Sequence, residues 1–271
     1  MSKIESGIKQ KIETKGIPLK EWGISINRGI LTGYNEAFII STAKKAQLVA
    51  EDPKSADIIR PILRGRDIKR YSYNFADLWV INTHNGIKDA GIPRIDIEEY
   101  PAIKAHLDHY YDQLAKRADK GDTPYNLRNC AYMDDFSKPK ICWIELTDES
   151  KFSFSSDGIF LLNTVFFMVG DNIKYLLAIL NSKLIHWYFL TCTGTTSGVG
   201  TNRWLKYTVE TIPVPRISSQ EEAAFISAVD TLLLYKKEKK DTSTTENEID
   251  KLVFQVYGLD DKEIEFIMDQ S

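Results

Sequence analysis

Residues 211–218, TIPVPRIS, carry two prolines two positions apart, Pro213 and Pro215. Proline has no N–H, fixes φ and holds the residue before it extended, so no helix runs through such a segment. The sequence on its two sides differs in period. Upstream, short β-rich runs broken by Gly, Asn and Asp alternate with helix-period stretches; downstream only helix-period sequence remains. A chain of this kind is constrained to the α+β class, a β-rich body with inserted helices followed by a helical hairpin. The divisions are a lead-in helix over 1–16, a body over 17–215 and a helical segment over 216–271.

The lead-in helix has Ile4, Ile8 and Ile12 on one face and Gly16 as its stop. WGISINRGILTGYNEAFIIS, 22–41, predicts a hairpin or strand pair, with Gly29, Gly33 and Asn35 as breaks. Ser55 could open a short helix that Pro61 ends or kinks, and LWVINTH at 78–84 predicts a strand. A mid-chain helix over 95–119 has Pro101 in its first turn and Ile103, Leu107, Tyr110, Tyr111 and Leu114 on one face. Strands are predicted at 138–146 and 158–170, then a helix over 171–191 and a small-residue loop, CTGTTSGVGTNR. After the prolines, Ser218 or Ser219 with Glu221 or Glu222 suits a capping box. A second helix ends at Gly258 with Ile249, Leu252, Val253 and Val256 on one face, and a third starts at Asp260 or Asp261.

Composition narrows the function classes. The 271 residues are 43% hydrophobic and 11% aromatic, ample for a packed core. With 35 basic against 38 acidic residues the net charge is −3, so contact with a polyanion has to be local. Cys130, Cys142 and Cys192 show no CxxC spacing and suit reduced thiols. The N-terminus has no continuous apolar region and no apolar run approaches the ~18 residues of a membrane span, so a cytoplasmic location is expected.

No catalytic constellation stands out. GDTPYN at 121–126 is close to the DPPY or NPPY loop of amino methyltransferases, but Thr123 replaces the first proline. Asp134, Asp135, Glu149 and Lys151 are residue types of a nuclease metal site, although carboxylates near a turn more often face solvent. His106 and His109 are three apart, where HExxH zinc sites use four with a glutamate between, and GTTSGVG lacks the lysine of a phosphate-binding loop. No metal site is expected.

Local charge is concentrated in RPILRGRDIKRY, 60–71, with five basic residues against Asp67. Arg64, Arg66, Lys69 and Arg70 could clamp phosphates, with Gly65 allowing close approach, or they could form a solvated turn. A second patch supplies Thr196, Ser197, Asn202, Arg203, Trp204 and Lys206, types that hydrogen-bond to or stack on bases and that also fill ordinary loops.

IIRPILRGRDIKRY, FSKPKICWIEL, YLLAILNSKLIHWYF, VETIPVP and NEIDKLVFQVYGLDDKEIEFI occur here in that order. Together they resemble the C-terminal specificity domain of TaqI-like and Eco57I-like restriction-modification methyltransferases, over about Trp22 to Ile267. The sequence also resembles the recognition subunits of type I restriction systems. The resemblance implies a DNA-binding target recognition domain that reads double-stranded DNA beside a separate domain methylating adenine at N6. It further implies that RGRDIKRY begins the structural core, so that part of its charge is architectural. The chain is then no enzyme and holds no cofactor itself. S-adenosylmethionine belongs to a catalytic domain expected outside this sequence, as its own methyltransferase domain or a methyltransferase partner, with an added nuclease in type IIG enzymes. The alternative is a protein-interaction module docking a partner through its C-terminal helices.

Overall fold

The computed structural model describes residues 1–156, 158–193 and 202–270. In chain order the helices are α1 (Lys3–Lys15), α2 (Asn35–Phe38), α3 (Thr42–Glu51), α4 (Pro101–Asp108), α5 (Tyr111–Lys116), α6 (Ile173–Asn181), α7 (Lys183–Tyr188), α8 (Lys206–Val209), α9 (Ser219–Lys237), α10 (Ser243–Tyr257) and α11 (Asp261–Asp269). The strands are β1 (Ile17–Pro18), β2 (Ser25–Arg28), β3 (Ile39–Ser41), β4 (Ile59–Leu63), β5 (Ile68–Lys69), β6 (Ser72–Tyr73), β7 (Leu78–Ile81), β8 (Lys140–Ile144), β9 (Ser153–Ser155), β10 (Phe160–Leu161), β11 (Val165–Val169) and β12 (Pro213–Val214). The architecture is α+β.

A four-stranded sheet in the order β2-β11-β8-β9 divides the molecule, and all its pairings are antiparallel. Side chains alternate across a strand, so Ile141, Trp143, Phe166 and Met168 enter one hydrophobic core while Cys142, Val165, Phe167 and Val169 enter another. Burial on both faces explains why Val165–Val169 is apolar without a break. The first core is helical: Ile8 and Ile12 of α1 pack with α6, α7 and Phe225, Val229, Val253, Tyr257 and Ile267 of the last three helices. Core packing thus crosses both residue 16 and residue 215. The second core lies under the mixed sheet β10-β4-β7-β3 and takes Leu48, Ile103, Leu107 and Leu114 from α3, α4 and α5.

Several elements differ from the sequence expectations. Strands β2 and β3 belong to different sheets and form no hairpin. Pro61 lies within strand β4 and ends no helix; β10 joins β4 only from Ile62 onward, so the missing N–H falls outside that ladder. The mid-chain helix breaks at His109–Tyr110, leaving Tyr111 exposed. The helix predicted over 171–191 breaks at Ser182, whose hydroxyl caps α7 by accepting from the Ile185 N–H at 3.2 Å. Gly16 does stop α1, but in extended backbone; a side chain there would put Cβ 2.4 Å from the Pro213 carbonyl carbon, where β1 pairs with β12.

The last three helices follow their signals closely. Ser218 and Glu221 form the capping box of α9, Gly258 closes α10 in left-handed backbone, and Asp260 caps α11. Tyr175 and Tyr257 donate their hydroxyls to the carbonyls of Pro215 at 2.8 Å and Pro213 at 2.7 Å, fixing the two-proline segment against the helical layer.

Candidate nucleic-acid interface

One edge of the central sheet collects turns from three parts of the chain. There β2 and β8 finish and β11 begins. Parallel pairing of β4 with β10 sends the turns after both strands out on this side: the Leu162 N–H donates to the Leu63 carbonyl at 2.9 Å, and the Gly65 N–H to Thr164 Oγ1 at 3.2 Å. Gly29 must be small, because a Cβ would lie 2.2 Å from the Leu162 carbonyl oxygen.

Four arginines lie around these turns. Arg28 donates from Nε to the Asn163 carbonyl at 2.5 Å, reaches Glu145 at 3.3 Å and covers the Phe166 ring at 4.9 Å. Arg203 hydrogen-bonds to the same Glu145, through Nε at 3.0 Å, so two guanidinium groups share one carboxylate. Arg128 pairs with Asp119 at 3.3 Å and is mostly exposed. Arg66 is exposed and makes no ion pair among the described residues. Arg28 and Arg128 flank a cavity of 310 Å³ whose wall includes Leu127, Asn129, Cys130, Tyr132, Met133 and Asn163.

The remaining sequence candidates divide sharply. Arg64 is architectural: its guanidinium donates to both oxygens of Asp67, at 2.8 and 3.0 Å, and its backbone N–H to the same carboxylate at 2.8 Å. Burial pushes the Asp67 carboxyl up, but the Arg64 hydrogen bonds and the charges of Arg64 and Arg66 outweigh it and hold the group below the usual carboxylate range. Arg70 faces the helical layer, where Nε donates to Glu246 at 2.9 Å and Nη1 to the Asn181 carbonyl. Gly65 packs against Thr164 and Ile144. Trp204, expected as a stacking platform, is 1% exposed and lies flat on Phe189 at 3.6 Å, with its Nε1–H donated to the Thr147 carbonyl at 3.0 Å. Both NH groups of Asn202 reach Asp148, each at 3.1 Å. Lys69 is exposed on the β5–β6 hairpin, Lys206 is exposed at the start of α8, and Thr196 and Ser197 lie outside the described residues.

The near-catalytic GDTPYN loop is a structural device. Asn126 is 1% exposed, accepts from the Thr123 hydroxyl at 2.6 Å and donates to the Ile95 carbonyl at 2.9 Å. Arg117 donates to the carbonyls of Thr32, Asp119, Pro124 and Asn126, and burial lowers its pKa to about 10. Asn126 therefore has no face open to a base. Asp135 pairs with Lys138 at 2.7 Å and Glu149 with Lys151 at 3.3 Å; among the described residues no three metal-ligating side chains converge.

The family model of the TaqI-like C-terminal specificity domain matches residues 60–214, more than half of the sequence. The chain belongs to this family. The TaqI-like specificity domain shares its fold with a type IIL restriction-modification enzyme, MmeI, solved in complex with DNA, at 12% identity and a TM-score of 0.66 over 93% of this chain and 36% of that one. It is similar also to the type IIG restriction endonuclease BpuSI, at 17% identity and a TM-score of 0.54 over 94% of this chain and 33% of that one. The chain thus spans about a third of the length of these two structures.

Arg28, Arg128, Asn129 and Asn163 of the specificity domain escaped the sequence reading. They are spread over 136 positions of sequence without a shared motif: the Ile30–Leu162 bridge and the β2–β11 pairing set Arg28 beside Asn163, and the Leu127 N–H donated to the Thr83 carbonyl, with the Asn85–Asn129 hydrogen bond, holds Arg128 and Asn129 on the facing turn. In the described part of the domain no helix is long and apolar enough to cross a membrane.

Proposed function

We propose that this chain reads a short sequence in double-stranded DNA on behalf of a restriction-modification enzyme acting at adenine N6, with S-adenosylmethionine bound by that enzyme's methyltransferase domain. The observation that carries the reading is the gathering of Arg28, Arg66, Arg128 and Arg203 at one edge of the central sheet in a TaqI-like specificity domain of net charge −3. Glu145, Asp119 and Asp148 lie among them and offset part of this charge, but Glu145 serves two of the arginines and Arg66 makes no ion pair among the described residues, so the group keeps a local positive excess, as contact with phosphates requires. Membership in a specificity-domain family and likeness to an enzyme solved on DNA support the same reading. The alternative, docking of a partner through the C-terminal helices, has less support, because Phe225, Val229, Ile249, Val253 and Ile267 are committed to the internal core.

The test is duplex binding as a function of salt. Each phosphate contact removed should flatten the slope of log affinity against log salt by about 0.9. Arg66→Ala and Arg128→Ala are expected to show that change. Lys174→Ala, which only breaks a pair with Asp230 on the helical layer, is expected to leave the slope alone. An unchanged slope in both arginine variants would remove the assignment.

A further inference from the structure

The cavity between Arg28 and Arg128 contains two carboxamides whose surroundings differ from those of the other polar side chains at this edge. The Asn163 backbone is fixed on both sides: its N–H donates to the Ile30 carbonyl at 3.0 Å and its carbonyl accepts from Arg28 Nε at 2.5 Å. Its side chain makes no hydrogen bond among the described residues. Asn129 is held by its oxygen, which accepts from Asn85 Nδ2 at 2.6 Å. Asn85 is itself buried and tied to Asp122, through the Asp122 N–H at 2.8 Å and the carboxylate at 3.1 Å. One amide is therefore free at both ends on a rigid turn, and the other is oriented with its NH₂ group left to donate.

We infer that Asn163 and Asn129 are specificity-determining residues that read base edges in the bound duplex, Asn163 an adenine and Asn129 an acceptor on a neighbouring base. This rests on the DNA-reading function proposed above and names the groups that would give it sequence preference. The chemistry favours adenine for Asn163, because a free carboxamide accepts from N6 and donates to N7 in the major groove, a pattern no other base presents there. Asn129, its oxygen already engaged, matches an acceptor such as guanine O6 or thymine O4. Flanking arginines suit phosphates on either side and position without reading. The fixed Asn163 backbone removes the main-chain part of the ordering cost, and for Asn129 the Asn85 hydrogen bond fixes the side chain as well. The cavity is at the small end of the ~300–1,000 Å³ typical of ligand sites, which suits an edge of a base pair reaching in from a groove.

The experiment is selection from a randomised duplex pool with the full chain at about 100 mM salt, comparing the unmodified protein with Asn163→Ala, Asn129→Ala and Arg128→Ala, each confirmed folded by circular dichroism. The unmodified protein should enrich a motif containing an A·T pair. Asn163→Ala should lose roughly tenfold preference at that pair, and Asn129→Ala a similar factor at an adjacent one, with the salt slope unchanged in both. Arg128→Ala should keep the motif while flattening the slope. An unaltered motif in both asparagine variants overturns the inference and leaves the DNA-reading function standing, whereas retention of duplex by the unmodified protein without enrichment overturns the inference and reduces that function to phosphate contact without readout. Failure of the unmodified protein to retain any duplex overturns both.

Discussion

Within four residues of one turn, Arg64 and Arg66 take opposite roles, and Asp67 decides between them. Asp67 is buried and its carboxylate is filled by the Arg64 side chain and backbone, so Arg64 is committed and Arg66 remains exposed. Replacing Arg64 with alanine should therefore destabilise the fold by about 2 kcal/mol, because a buried carboxylate loses charged hydrogen bonds, whereas Arg66→Ala should fall within about 0.5 kcal/mol of the parent; urea denaturation of the two variants checks this. Asp67 also sets a pH dependence. Its folded pKa lies below the unfolded value of about 3.9. The pair's contribution is then complete above that unfolded value and is lost as pH falls from it through the lower folded value. Asp67→Asn should remove this part of the acid sensitivity in a pH series of melting curves. Trp204 makes the same point for aromatics. Residue type alone suits Trp204 equally to a stacking platform or a core, and only its contact with Phe189 and its donated N–H assign it to the core. Trp204→Ala should cost about 3–5 kcal/mol through the cavity it leaves, with the loss read as a lowered denaturation midpoint.

Elements with local punctuation were legible, and those defined by distant partners were not. The capping residues Ser218 and Asp260 and the terminator Gly258 act within one helical turn, so α9, α10 and α11 follow directly from sequence. Strands β10 and β11 belong to one apolar stretch interrupted only by Asn163 and Thr164, yet they enter different sheets because β10 pairs with β4 and β11 with β2 and β8. Nothing within 158–170 encodes that choice, since both strands are buried on both faces and show no alternation. The contact of Gly29 with the Leu162 carbonyl is where the two sheets close on each other. Gly29→Ala should force that contact apart at roughly 1–3 kcal/mol. Thermal unfolding checks the cost, and an unchanged melting temperature would show that the close approach is not needed.

At the scale of the whole molecule, the helical segment after the two prolines completes a core that begins at Ile8. Arg70 reaches Glu246 across 176 positions of sequence, and the Lys183 N–H donates to Asp250 at 2.9 Å, so polar ties reinforce the apolar contact. A fragment ending at residue 215 should accordingly lose cooperative unfolding and bind a hydrophobic dye, since Leu176, Ile179 and Leu184 lose their covering helices; a sigmoidal melt at the parent's midpoint would contradict this. The sequence by itself determined the α+β class, the caps and periods of the last three helices and the ordered motifs of a specificity domain, because each depends on neighbours a few residues apart or on residue order. The tertiary structure alone decided which arginines are structural and which are exposed, that Trp204 is core, and that Arg28, Arg128, Asn129 and Asn163 share one cavity. Strand pairing and hydrogen bonds between distant segments bring those side chains together, and no local pattern in the chain specifies them.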